Sequence, residues 1–214
     1  MEPLQKPQSD VAFVIGNGTS RSEVDLPALM NYGTVYGCNA QYREYSPHYL
    51  IAVDVKMIKE IVKTGYHLKH PVWTNPNRAV KEIPGLNIIS PHRGWASGPT
   101  ALWLAARNKY KKIFILGFDY QGIAGKVNNI YAGTANYKKP EDKATYYGNW
   151  LNQTKRVIRE HKQTKFYRVI QPESFVPPEL EPLDNLHHIH YEDFNKQLSN
   201  FDFVDKNDQK NAIL

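Results

Sequence analysis

Cysteine is nearly missing from this sequence. A lone Cys38 among 214 residues rules out an internal disulfide and suits a reducing, cytoplasmic compartment. Long apolar runs are missing too. Nothing approaches the roughly 18 residues of a membrane-crossing helix, and Met1–Asp10 lacks the apolar core of a secretion signal. There is no G-x-x-x-x-G-K-S/T segment, which argues against P-loop phosphate chemistry, and no internal repeat.

What is present fits a soluble globular protein, with 41% hydrophobic and 22% charged residues. A chain of this length can bury about 70% of its unfolded surface around one core. One domain is expected over 11–203, with a loose arm at 1–10 and a polar tail at 204–214. The net charge of +6 is weighted towards the centre and later part, through Lys109, Lys111, Lys112, Lys138, Lys139, Lys155, Arg156, Arg159 and Lys162. Such a balance could draw a nucleotide, an anionic acceptor or nucleic acid, or could be a solvated face. Tyrosine is abundant, at 14 residues concentrated in 32–49 and 131–147, where rings can meet a ligand as well as a core.

The chain is organised around Val11–Arg21. Five apolar residues, Val11–Ile15, read as a buried strand of a parallel sheet. Gly16-Asn17-Gly18 then stops the run. Its unpaired amides, with Thr19 and Ser20 as cap hydroxyls, form a turn able to cradle phosphate, or simply a tight turn. Asn39 closes a second strand as Asn17 closes the first, and ligands of open α/β sheets bind at those ends. A third strand over Tyr49–Val53 ends in Asp54, before a helix over Val55–Thr64. Short strands follow at Val72–Asn75 and Leu86–Ser90. A buried helix then starts near Thr100, with Ser97 as its cap and Pro99 in its first turn.

The clearest strand, Ile113–Leu116, runs into Gly117-Phe118-Asp119-Tyr120. Residues 121–147 show no periodicity but carry Tyr131, Tyr137, Tyr146 and Tyr147, which suggests a mobile lid over a ligand. A helix at Tyr146–His161, a strand at Phe166–Ile170, a Pro-rich loop, an edge strand at His187–His190 and a helix from Tyr191 complete the chain. The pattern is that of a single Rossmann-like α/β domain, mostly parallel, with helices on both faces.

Three stretches together resemble a known family: Ile15–Ser20, then Tyr36-Gly37-Cys38-Asn39, then Ser97–Leu102 with Ile113–Tyr120. In order and spacing they are similar to the bacterial lipooligosaccharide sialyltransferases. They also resemble the related DUF115 proteins, which are motility-accessory and hydroxymethylpterin pyrophosphokinase-like. Asn128–Tyr131 and Tyr146–Trp150 look similar to small phage-encoded proteins as well. The resemblance implies a Rossmann-like domain binding a cytidine-type nucleotide sugar. It places Asn17 and Asn39 at the phosphate or ribose, and Ser97 and Gly98 at the nucleotide. Tyrosines beyond Asp119 would hold the phosphate, and transfer would need no metal. The family's catalytic-base histidine, in the loop after the Asp-bearing strand, has no counterpart, since Gln121–Glu160 contains no histidine.

The candidate catalytic residues are therefore Asp119, Tyr131 and Tyr147. The candidate binding residues are Gly16, Asn17, Gly18, Thr19, Ser20, Asn39, Asp54, Arg93, Ser97, Gly98, Thr100 and Tyr120. Arg93 can pair with a ligand phosphate or with a surface acid. Asp54 and Asp119 can bind Mg²⁺ beside a triphosphate, as a pyrophosphokinase would require, or cap turns. His188 and His190 share a strand face and suit either a two-ligand metal site or a half-exposed edge; no metal is assigned. Cys38 reads as a buried structural thiol. The leading expectation is a CMP-sugar-type glycosyltransferase. A pyrophosphokinase and a catalytically silent nucleotide-binding accessory protein are the alternatives.

Overall fold

The structure, a computed structural model, describes residues 9–201. The expected polar tail, and the arm as far as residue 8, lie outside the described residues. Ser9 is tied down, its hydroxyl donating to the Tyr32 carbonyl and accepting from the Val11 amide.

Eight strands form one sheet: β1 (Val11–Ile15), β2 (Thr34–Cys38), β3 (Tyr49–Ile51), β4 (Val72–Thr74), β5 (Leu86–Ile88), β6 (Lys112–Leu116), β7 (Lys165–Ile170) and β8 (Leu186–His190). They lie in the order β5-β4-β3-β2-β1-β6-β7-β8, and every pairing is parallel. This is the expected α/β Rossmann-like architecture. Because successive side chains point to opposite faces, each central strand feeds two cores. Ala12, Val14, Tyr36, Ile113 and Ile115 pack under α3 (Ser97–Arg107) and α4 (Gly148–Glu160). On the other face, Phe13, Ile15, Phe114 and Leu116 meet α1 (Leu26–Leu29) and α5 (Tyr191–Ser199). Leu50 and Val72 meet α2 (Val55–Lys63) on that same side. Among the described residues no helix is long and apolar enough to cross a membrane.

Strand order reverses between β1 and β6, where the chain steps outwards first to β2 and later to β6. The register sets Ile15 beside Leu116, so Gly16 and Gly117 meet at the strand ends. A Cβ on Gly16 would lie 2.5 Å from the Gly117 carbonyl oxygen, and Gly117 has φ +67. Only glycine fits this close approach, and it opens a crevice at the switch point.

Two expectations change. The helix expected from Thr100 starts at Ser97, with Ala96 as its N-cap, because the Ser97 hydroxyl bonds elsewhere instead of capping. The stretch expected to be a lid is docked over residues 128–137. The Ile130 amide donates to the Asn17 carbonyl, Asn128 bonds both Thr19 and Asp119, and Tyr131 is buried. Its polar groups find partners at the β1 and β6 ends, so the loop is part of the frame.

Candidate nucleotide-binding cavity

A cavity of about 270 Å³ opens where β1, β2, β3 and β6 end, closed on one side by the starts of α3 and α4. That is just below the range of about 300–1,000 Å³ usual for drug-sized ligands. Eight of the expected residues line it: Gly16, Asn17, Gly18, Asn39, Asp54, Ser97, Gly98 and Tyr120, together with Asp119 and Tyr147 from the catalytic set.

The first turn works differently from the expected phosphate cradle. Gly16 N–H donates to Leu116 O at 2.8 Å and Gly18 N–H to Gly117 O at 2.9 Å. Thr19 N–H donates to Asn128 Oδ1 at 2.9 Å and Ser20 N–H to Asp119 Oδ2 at 3.1 Å. Amides already satisfied by protein acceptors have nothing left for an anion. The Asn17 carboxamide is engaged as well. Its Oδ1 accepts from Gln41 Nε2 at 2.9 Å and its Nδ2 donates to the Tyr137 hydroxyl at 3.3 Å. Thr19 and Ser20 turn their hydroxyls to Asn128 and Asp119 and do not line the cavity.

The start of α3 offers open amides. Helix starts leave their first N–H groups without intrahelical partners, and among the described residues those of Ser97 and Gly98 find no hydrogen-bond acceptor. Gln153 Oε1 takes the preceding one, the Ala96 amide, at 3.1 Å. Ser97 ties three elements together. Its hydroxyl donates to Asn39 Oδ1 at 2.8 Å and accepts from Val53 N–H at 3.1 Å. Asn39, held in the left-handed region at φ 54, therefore keeps its amide NH₂ for the cavity.

Two carboxylates line the space and differ in kind. Asp119 accepts from the Ser20 amide, the Ser20 hydroxyl and Asn128 Nδ2, so both its oxygens are engaged. Asp54, exposed at the head of α2, caps nothing and makes no side-chain hydrogen bond among the described residues. Tyr147 and Trp150 pack edge to face at 5.3 Å along the wall. Burial raises the Tyr147 pKa, with the Asn128 backbone amide partly offsetting it, so the phenol stays a donor at neutral pH. Burial pushes the Cys38 thiol up to about 12, keeping it protonated and unreactive as a nucleophile.

Three more expected site residues stand elsewhere. Arg93 pairs with Glu160 at 2.7 and 3.0 Å and stacks on Trp95, so its charge is already matched. Thr100 is buried, its hydroxyl donating to Trp95 O. Tyr131, expected among the catalytic residues, lies outside the cavity with its hydroxyl accepting from Arg21 Nη2 at 3.2 Å. Tyr120 reaches the wall with its ring only, since its hydroxyl is buried against Thr154. His188 sits on β8 opposite Arg168, away from the cavity, and burial lowers its pKa to about 4. Among the described residues no three His, Cys, Asp or Glu side chains converge as a metal site.

Sequence reasoning missed the polar side chains that hold the turns. Buried Arg21 donates from Nε to Gly16 O at 2.8 Å, and Gln41 Nε2 reaches Ile15 O at 2.7 Å. Arg168 is 2% exposed and donates to the carbonyls of Phe118, Asp119 and Phe175. Phe118, Asn128, Asn129 and Trp150 were also not anticipated as lining residues. The only advance signal was the Asn and aromatic content of 128–150.

No family model matches the chain, and no curated protein does. Two solved structures are similar in fold. One is a point mutant of the α-2,3/8-sialyltransferase CstII, at 15% identity over 82% of this chain and 86% of that one, TM-score 0.46. The other is the same sialyltransferase with a trisaccharide acceptor and CMP, at 17% identity over 82% and 85%, TM-score 0.46. A likeness of this degree assigns no activity.

Proposed function

We propose that the chain is a nucleotide-sugar-dependent glycosyltransferase that takes a CMP-type donor in this cavity. The observation that carries the reading is the pairing of two open α3 amides with the protonated Tyr147 phenol and an unbonded Asp54 in one crevice. The amides and the helix start favour the donor phosphate. Tyr147 donates to the phosphate oxygen as charge builds on the departing group. The Asn39 carboxamide fits a ribose hydroxyl or a base edge. Asp54 is the carboxylate with unoccupied lone pairs, so it takes the acceptor hydroxyl's proton in place of the histidine the resembled family uses. The order and spacing of the three motif stretches support the cytidine preference.

Calorimetry with CMP, UDP, ATP and their sugar conjugates tests the binding half, with CMP compounds expected to bind best. For the chemical half, Asp54→Asn is expected to keep donor binding and lower turnover about 10²–10⁴-fold. Tyr147→Phe is expected to lower it about 10²–10³-fold. A protein that binds none of these nucleotides, or an Asp54→Asn variant with full turnover, refutes the assignment.

A further inference from the structure

The outer face of α3 and α4 carries a feature that donor binding does not use. Arg93 lies over Trp95 at 4.8 Å and over Trp103 at 5.1 Å. Arg156 covers Trp95 from 5.8 Å and Arg107 covers Trp103 from 4.8 Å. Guanidinium and indole planes thus alternate in a five-membered ladder. Residues 91–107 and 148–160 contain one acid between them, Glu160, and it holds Arg93 and Arg156 in place at 2.7–3.0 Å. Lys155 and Arg159 extend the cationic face, one helical turn apart on α4. Arg107, Arg156 and Arg159 are exposed, and of the three only Arg156 meets an acid, a Glu160 that it shares with Arg93.

We propose that this face binds single-stranded nucleic acid. Stacking has already fixed the Arg107 and Arg156 planes, so little side-chain freedom is lost when their remaining N–H groups meet phosphates. The outer guanidinium faces offer stacking surface to unpaired bases. An anionic lipid surface fits less well. Membrane-surface elements present bare aromatic and aliphatic side chains, and here guanidiniums cover the ladder's indoles.

The test is fluorescence anisotropy of a labelled oligothymidylate of roughly 20 nucleotides across a salt series. For three to four phosphates neutralised, log K falls against log salt with a slope of about −2 to −3. The triple variant Arg107→Gln/Arg156→Gln/Arg159→Gln is expected to bind at least tenfold more weakly and to flatten that slope by about 2. A charge-matched variant on the opposite sheet face, Lys56→Gln/Lys59→Gln/Lys63→Gln on α2, is expected to bind as the parent does, with circular dichroism melts showing that both variants fold. Absence of oligonucleotide binding, equal loss in the two variants, or tighter capture by phosphatidylglycerol vesicles than by the oligonucleotide overturns the proposal.

Discussion

Neutralising Asp119 separates the residue that builds the cavity from the one that works in it. Asp119 accepts three hydrogen bonds, from the Ser20 amide, the Ser20 hydroxyl and Asn128 Nδ2, and so fastens the β1 turn and the 128–137 stretch to the end of β6. Hydrogen bonds to a charged group contribute about 1.5–3 kcal/mol, neutral ones about 0.5–1.5. In Asp119→Asn the new NH₂ can face the Ser20 hydroxyl, which turns to accept, so the bonds survive without charge assistance. The loss is then about 1 kcal/mol per bond, or about 2–3 kcal/mol in all after allowing for coupling within one network. For a chain of this size that is a fall in Tm of about 5–10 °C. Asp54→Asn touches no protein partner and is expected to stay within about 0.5 kcal/mol of the parent. Thermal unfolding followed by circular dichroism, paired with donor titration, reads both variants. An Asp119→Asn protein that melts with the parent, or an Asp54→Asn protein that melts as low as Asp119→Asn, would refute the division of roles.

Tyr131→Phe should lower stability by about 1–3 kcal/mol, because it leaves buried Arg21 with an unpaired donor, while donor affinity stays unchanged. Denaturant unfolding with a parallel binding curve checks this, and a loss of turnover without loss of stability would return Tyr131 to the catalytic set. Stability should also fall on acidification. Burial holds His48 near pKa 4 in the folded state against 6.5 unfolded, and His188 behaves alike. Between about pH 7 and 4 the unfolded chain therefore binds protons that the folded one refuses, which costs up to about 3 kcal/mol for His48. Denaturation midpoints across that range should decline, and more gently in a His48→Gln variant referenced to its own value at pH 7.

Periodicity and local chemistry made the architecture legible. The β-branched runs Val11–Ile15 and Ile113–Leu116, the asparagines at the β1 and β2 ends, and the Ser97-Gly98-Pro99 helix start all stood out in the chain. They located most of the cavity lining. Such signals depend on a residue and its near neighbours, and the fold realises them almost unchanged. What the linear order did not contain was which polar group satisfies which. The amides of Thr19 and Ser20 find acceptors 109 and 99 residues away, and those distant partners close the phosphate cradle that the glycines suggested. Arg93 finds Glu160 67 residues on and leaves the site, while Arg21 and Arg168, to which the linear order gave no role, are buried against carbonyls. A buried donor must be satisfied by whatever the completed fold brings within 3 Å or so of it. Local sequence therefore determined the sheet and where its strands end, and tertiary structure alone decided that the amides of Gly16, Gly18, Thr19 and Ser20 are taken while those of Ser97 and Gly98 stay open, and that Asp54 is the cavity carboxylate left unbonded.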